Sequence, residues 1–254
     1  MTHRAAEPLP QLRTAVLDRV TTLLCDADDT LFPSESPALE ASVAVLNRWL
    51  AAAGIDEPVT AEEQRSRAVG KNFRATVTDL AAEHGVGIED LGRWVAEEAA
   101  VVTEHLRATL TPDADVVEAL TGLAEHLTLA AVSSSALARL EGCFSATGLS
   151  GLVPADRRFS AEDSLATPAS KPDPAIYLHA CAQLGIEPGQ GLAVEDSVAG
   201  ATSAVRAGCP TIGMVTFVPA AEQPRRRAQL ADAGGAGVLT CAPAQFRRVA
   251  MITC

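Results

Sequence analysis

The chain has 254 residues and a formal net charge of −12, from 20 basic and 32 acidic residues. With 48% hydrophobic and 20% charged residues the composition is globular, not disordered. The acidic balance argues against a general nucleic-acid binder but leaves room for a local basic pocket that takes a small anion.

No run approaches the about 18 consecutive apolar residues of a membrane span, and the first twenty residues carry no signal-type pattern. A cytoplasmic protein with neither a membrane nor a nucleic-acid partner is expected. The six cysteines form no CxxC pair and read as free thiols. The five histidines are scattered without metal-ligand spacing.

The first predicted element is a short apolar strand near Thr22–Asp26 that runs into an acidic loop. Pro37 suits the first turn of a helix. From there to about Arg107 apolar residues recur at helical spacing, and no convincing strand interrupts them. After Pro112 the texture changes. DVVEALTGLAEH predicts a helix, LTLAAVS a buried strand and ALARLEGCFSATG a helix. PAIYLHACAQLG predicts another helix, GLAVED a strand, SVAGATSAVRAG a helix and PTIGMVT a strand. RRRAQLADAGG and GVLT follow as a last helix and strand. Strands alternating with helices predict an α/β fold, a parallel sheet covered on both faces. The helical block at 34–108 sits between the first strand and the rest and is expected to form a small inserted domain.

Polar residues collect at three predicted strand ends: Asp26-Ala27-Asp28-Asp29-Thr30, Ser133-Ser134-Ser135 and Glu195-Asp196-Ser197. In an open parallel sheet ligands bind at the carboxyl ends of the strands, so these groups should converge on one crevice, with Lys171 of SKPDP in a loop nearby. Four close carboxylates repel one another unless a cation offsets them. Hard oxygen ligands without His or Cys point to Mg²⁺, which takes a few carboxylates plus substrate phosphate. Mg²⁺, lysine and hydroxyl donors together cradle a phosphoryl group. A carboxylate can attack phosphorus, and a second one two residues on, on the same side of extended chain, can move protons. Asp26 and Asp28 have that spacing. Each piece also has an ordinary structural reading: an acidic turn, a helix cap at the serines, a solvated loop lysine, an acidic helix start. Their joint occurrence, in this order and at these strand ends, favours the chemical one.

These residues resemble the haloacid dehalogenase-like hydrolase superfamily over nearly the whole chain. The DxDxT signature is Asp26–Thr30, the strand-end hydroxyl Ser133, the loop lysine Lys171 in KPDPAIYL, and the acidic motif VEDSVAGATSAVRAG from Val194. The helical block directly after the first motif resembles the subgroup with an α-helical cap. The resemblance implies a Rossmann-like core at 1–33 and 109–254, with helices on both faces of a parallel sheet, and a cap at 34–108. It implies an Mg²⁺-dependent phosphatase with Asp26 as nucleophile and Asp28 as acid and base. Asp26, Asp28 (through its backbone carbonyl), Glu195 and Asp196 would hold the metal, and Ser133, Ser134 and Lys171 the phosphate. The expected partner is a small phosphorylated metabolite, such as a sugar or polyol phosphate. The sequence does not specify an oligomeric state.

Two positions depart from the family pattern. Asp29 stands where glycine is usual, with two orientations open to it, into the site or out to solvent. Pro33 replaces an acidic residue. In the cap, Gly70, Lys71 and Arg74 fall between two helices, where a glycine-bearing loop of similar proteins reaches over the site; solvated helix-start charges are the alternative. A β-phosphoglucomutase-like isomerase is disfavoured because LFPSESPALE contains no histidine. Asp28 disfavours dehalogenase and phosphonoacetaldehyde hydrolase chemistry, which needs no acid there. A terpene cyclase would need an aromatic-lined cavity, against 4% aromatic residues here. A non-catalytic binding module would be expected to have lost the nucleophile or the metal carboxylates.

Overall fold

The computed structural model of the chain describes residues 18–67, 72–234 and 238–241, the last by backbone alone. Its sheet has six parallel strands: β1 (Thr22–Cys25), β2 (Thr128–Ser133), β3 (Arg158–Ser160), β4 (Gly191–Glu195), β5 (Thr211–Met214) and β6 (Val238–Cys241). They lie in the order β3-β2-β1-β4-β5-β6. The order reverses at β1, whose partners are β2 and β4, with Leu24 level with Ala130 and Ala193. That reversal opens a crevice beyond the carboxyl ends of β1 and β4.

Strand β1 reads as a continuous apolar run because both of its faces are covered. Leu23 and Cys25 join one core cluster and Leu24 the opposite one. The first cluster takes Leu120 and Leu123 of helix α5 (Ala114–Ala124) and Leu140, Cys143 and Phe144 of α6 (Leu137–Ala146). The second takes Ile176, Tyr177 and Ala180 of α7 (Ala175–Leu184) and Ala204 and Ala207 of α8 (Val198–Ala207). Helix α9 (Gln223–Gly234) closes the sheet end with Leu230 against Ala201 and Val215. Helix starts follow their local chemistry. Asp113 accepts from the Asp115 and Val116 amides, and Ser197 from Gly200. Helix α6 lacks a cap of its own; Asp163 accepts from the Leu137 amide at 2.6 Å.

The inserted cap consists of α1 (Glu35–Ala52), α2 (Ala61–Arg67), α3 (Phe73–His84) and α4 (Leu91–Thr109). It has its own apolar centre around Leu46, Trp49, Leu50, Val77, Leu80 and Trp94. Two of its helices also reach the main core, through Ala38 and Ala41 of α1 and Val102 and Leu106 of α4. The cap therefore stands on α6 and is continuous with the apolar interior at its foot.

Strand β3 is absent from the sequence-based elements. It has three residues, begins with an arginine and pairs only with β2, too little pattern for a period of two to register. Gly70 and Lys71 lie outside the described residues.

Phe144 is fully buried and meets Phe32 edge-on, with ring centroids 5.5 Å apart. The Arg158 guanidinium lies over its ring at 4.4 Å. Phe144→Ala is expected to lower stability by about 3–5 kcal/mol, measured as a reduced urea midpoint at unchanged m-value.

Candidate active site

The loop after β1 places the first carboxylates. The Asp26 amide continues the ladder to Val194 O at 2.9 Å, which sets Asp26 at the mouth of the crevice beside the end of β4. Asp28 follows two residues on. The chain then folds back, with the Asp29 amide bonded to Phe32 O at 2.9 Å. This turn demands a left-handed residue, and Asp29 has φ 51. Aspartate tolerates that region better than most residues. Its side chain points neither into the crevice nor freely to solvent: Oδ1 accepts from the Glu35 amide at 3.0 Å, the first residue of α1. The loop after β1 and the cap thus share a hydrogen bond.

Lys171 lies at the centre. Its ammonium donates to Asp26 Oδ1, to Glu195 Oε1 at 2.6 Å and to Val132 O at 2.7 Å. All three of its hydrogens are used, and Tyr177 walls it in with its ring centroid at 5.4 Å. Tyr177 Oη donates to the same Glu195 oxygen. The other oxygen, Oε2, is buried without a hydrogen-bond partner. Asp196 is gripped by Arg226 of α9, whose Nη1 donates to its backbone oxygen at 2.8 Å and to Oδ2 at 3.3 Å.

Asp28 has a different environment. Oδ1 accepts from Ser34 Oγ and from Arg139 Nη2 at 3.0 Å. Oδ2 accepts from Ser135 Oγ at 2.7 Å and, more weakly, from Ser133 Oγ at 3.5 Å. Ser134 Oγ accepts from the Lys171 amide at 3.4 Å. The three strand-end serines therefore meet the motifs at both edges of the crevice.

These surroundings push the carboxyls apart. Burial acts to raise Asp28, but Arg139, then Ser34 and Ser135, outweigh it and hold the group below the ordinary range. Burial raises Asp26 despite Lys171. Burial lifts Glu195 to about 7 against the pull of Lys171, with Asp26 adding to the rise. Burial, then the charges of Asp26 and Glu195, drive Asp196 well up. Burial opposes the Lys171 charge, but Asp26 and Glu195 overcome it and raise its pKa. One proton-avid cluster thus stands beside one ionised carboxylate.

The proton-avid cluster suits a cation. Asp26, Glu195 and Asp196 bring ligand oxygens within 4.8 Å of one another, all three are buried, and the partnerless Glu195 oxygen needs a positive neighbour. An all-oxygen donor set fits a hard divalent ion. Gly200 makes room for the Glu195 carboxylate: a Cβ there would lie 1.7 Å from Oε2.

A family model described as haloacid dehalogenase-like hydrolase matches residues 20–208, well over half of the chain. The chain belongs to this family. Solved structures share the fold of this hydrolase. A HAD family hydrolase from Deinococcus radiodurans R1 with bound phosphate and sodium has 25% identity and a TM-score of 0.66, covering 92% of this chain and 98% of that one. A putative beta-phosphoglucomutase from Thermotoga maritima has 22% identity and a TM-score of 0.66, covering 91% and 98%. A predicted phosphoglycolate phosphatase from Haemophilus somnus 129pt has 19% identity and a TM-score of 0.69, covering 91% and 98%. No curated protein matches the chain.

Sequence reasoning brought Asp26, Asp28, Ser133, Ser134, Lys171, Glu195 and Asp196 to one place, and the hydrolase has them together. Arg74 is exposed in the first turn of α3, and among the described residues no contact places it at the crevice. Ser34, Arg139, Tyr177 and Arg226 were missed as site residues. Ser34 and Tyr177 adjoin quoted motifs. Arg139 and Arg226 stand on helices whose sequences carry no mark of what they face.

Glu195 takes up its proton in the folded, metal-free protein at higher pH than in the unfolded chain. Its stabilising contribution is complete below its ordinary value of 4.5 and is lost as pH rises through about 7. With chelator present, wild type should therefore lose stability relative to Glu195→Gln across that window, read as the difference between their melting curves; added divalent cation should remove the slope. At position 29, Asp29→Gly keeps the turn and loses the bond to α1, whereas Asp29→Ala suffers both losses. The alanine variant should be the less stable of the two by about 1–2 kcal/mol in denaturant unfolding.

Proposed function

We propose that this hydrolase is an Mg²⁺-dependent phosphatase of a small phosphorylated metabolite, of sugar- or polyol-phosphate type, acting through an aspartyl-phosphate. The observation that carries the reading is the convergence of Asp26, Glu195 and Asp196, the first two bonded to one buried ammonium, with Asp28 in a separate polar setting. The neighbour that binds phosphate and sodium adds support.

In this reading Asp26 attacks phosphorus, and the bond to the leaving oxygen breaks. Asp28, ionised at rest, takes a proton from solvent as its donors turn away and passes it to that oxygen, so an alcohol departs and a phospho-Asp26 remains. Asp28, now ionised, takes a proton from water as the water attacks the phospho-enzyme, and inorganic phosphate leaves with Asp26 restored. Lys171 and Ser133 hold the phosphoryl oxygens, with Ser134 steadying the Lys171 backbone. Asp26, Asp196 and the Asp28 backbone carbonyl hold the metal, with Glu195 beside them. Bound there, Mg²⁺ supplies positive charge to the phosphoryl oxygens and offsets the carboxylates. The unit 34–108 acts as the substrate-selecting cap over the core of 1–33 and 109–254, and cap closure excludes water. Gly70, Lys71 and Arg74 belong to this proposal as candidate contacts from the cap.

Phosphate release across a panel of sugar, polyol and short-acid phosphates tests the reading. It should require Mg²⁺, stop with chelator and disappear in Asp26→Asn. Asp28→Asn should slow alkyl phosphates by about 10²–10⁴-fold. It should also let phospho-enzyme accumulate from an aryl phosphate, whose leaving group needs no proton. Full activity in Asp26→Asn, or no release from any phosphate, would overturn it.

A further inference from the structure

Each carboxylate of the Asp26, Glu195 and Asp196 group has one oxygen held by a protein donor. Lys171 takes Oδ1 of Asp26. Lys171 and Tyr177 both donate to Oε1 of Glu195. Arg226 takes Oδ2 of Asp196. The second oxygen of each carboxylate lies outside these bonds. For Glu195 that oxygen, Oε2, is buried and has no hydrogen-bond partner, so it is short of a positive neighbour.

The hold on Asp196 differs from the other two. Arg226 Nη1 reaches the main-chain oxygen of Asp196 at 2.8 Å and Oδ2 at 3.3 Å. One nitrogen thus closes a ring through the residue and fixes how its carboxylate is turned. The side chains are 28% and 12% exposed, too enclosed for the pair to count as a solvent-screened surface contact. Arg226 is itself firmly placed. Its amide donates to Glu222 O at 3.0 Å, and Leu230, one turn further along α9 on the same face, is buried against Ala201 and Val215.

This hold bears on which ion the group accepts. Ca²⁺ takes about six to eight oxygens and readily uses both oxygens of one carboxylate, whereas Mg²⁺ demands a small octahedral shell and keeps several waters. An ion chelated by both oxygens of Asp196 would have to sit against Oδ2, and therefore beside the guanidinium bonded to it. An ion on Oδ1 alone avoids that contact between like charges.

We propose that Arg226 is a positioning residue that confines Asp196 to a single ligand oxygen and thereby selects Mg²⁺ against Ca²⁺. The inference rests on the metal-dependent reading above and adds to it the residue that sets the choice of ion. Arg226 is the member of the donor set to vary, because Lys171 also belongs to the proposed phosphate site.

The ratio of two affinities tests this. Mg²⁺ and Ca²⁺ carry the same charge, so the lost guanidinium charge changes both affinities alike, and so does any general loosening of the site. Only the number of oxygens that Asp196 can offer separates them. The metal-free full chain is titrated with magnesium chloride and with calcium chloride, by calorimetry or by the rise of the melting midpoint with ion concentration. Wild type should bind Mg²⁺ more tightly than Ca²⁺ by about tenfold or more. Arg226→Met should shift that ratio toward Ca²⁺ by about five- to tenfold. Arg226→Lys keeps a charged donor without the planar fork, and its ratio should fall between the two. Melting curves of the ion-free variants check that each is folded.

An Arg226→Met ratio equal to that of wild type would overturn the inference, even if both ions bound more tightly or more weakly. So would a wild type that prefers Ca²⁺. Either result leaves the metal-dependent reading standing, provided that Mg²⁺ binds and supports phosphate release. A folded wild type that binds neither ion would sink that reading and the inference with it. The binding arm needs no turnover: the shifted ratio without any phosphate release would sink the phosphatase and keep Arg226 as the residue that selects the ion.

Discussion

One buried ammonium organises the carboxyl edge of the sheet. Lys171 joins Asp26 at the end of β1, Val132 at the end of β2 and Glu195 at the end of β4. Without it, three buried carboxylates would face one another across a gap of low polarity, and at least some would be forced to stay protonated. With it, the repulsion is offset only in part, and burial still holds all three carboxyls above their ordinary range. That imbalance suits the crevice to a cation.

The same edge is tied to the cap by a turn that ordinary residues resist. Asp29 accepts a left-handed backbone and gives its carboxylate to the first amide of α1. A glycine there would turn as easily and leave that amide to another partner. Burial pushes the Asp29 carboxyl up to about 6, against the pull of the Glu35 amide. The loop after β1 and the cap are therefore linked at the start of α1, while α4 rests on α6 through the apolar interior at the cap's foot. Arg139, on α6, meets Asp28 of the same loop.

Much of this was legible in the sequence. Strand β1 announced itself as an apolar run ending in acids, and the Ser133 and Glu195-Asp196 strand ends did the same. Those signals are local: a covered parallel strand is apolar throughout, and polar residues are tolerated only where it opens into a loop. Strand β3 was not legible, because three residues borrowed by an edge position carry no period. Arg139 and Arg226 were not legible either. Both occur on amphipathic helices where arginine is ordinary, and nothing within a few residues marks the carboxylate each one meets. Tyr177 looked like a core aromatic, which it is; its hydroxyl reaches Glu195 only because α7 packs on the sheet face that carries Leu24, Ala130 and Ala193.

The sequence by itself determined the alternation of strands and helices, the position of the inserted helices and the identity of the groups at the strand ends. These follow from local periodicity and from the chemistry that an apolar strand cannot bury. Tertiary structure decided how those groups share charge. It gave Lys171 to Asp26 and Glu195, gave Arg139 and three serines to Asp28, and turned Asp29 toward the cap. Such pairings join residues up to 145 positions apart, and only the packed sheet and its helices bring them within hydrogen-bonding distance.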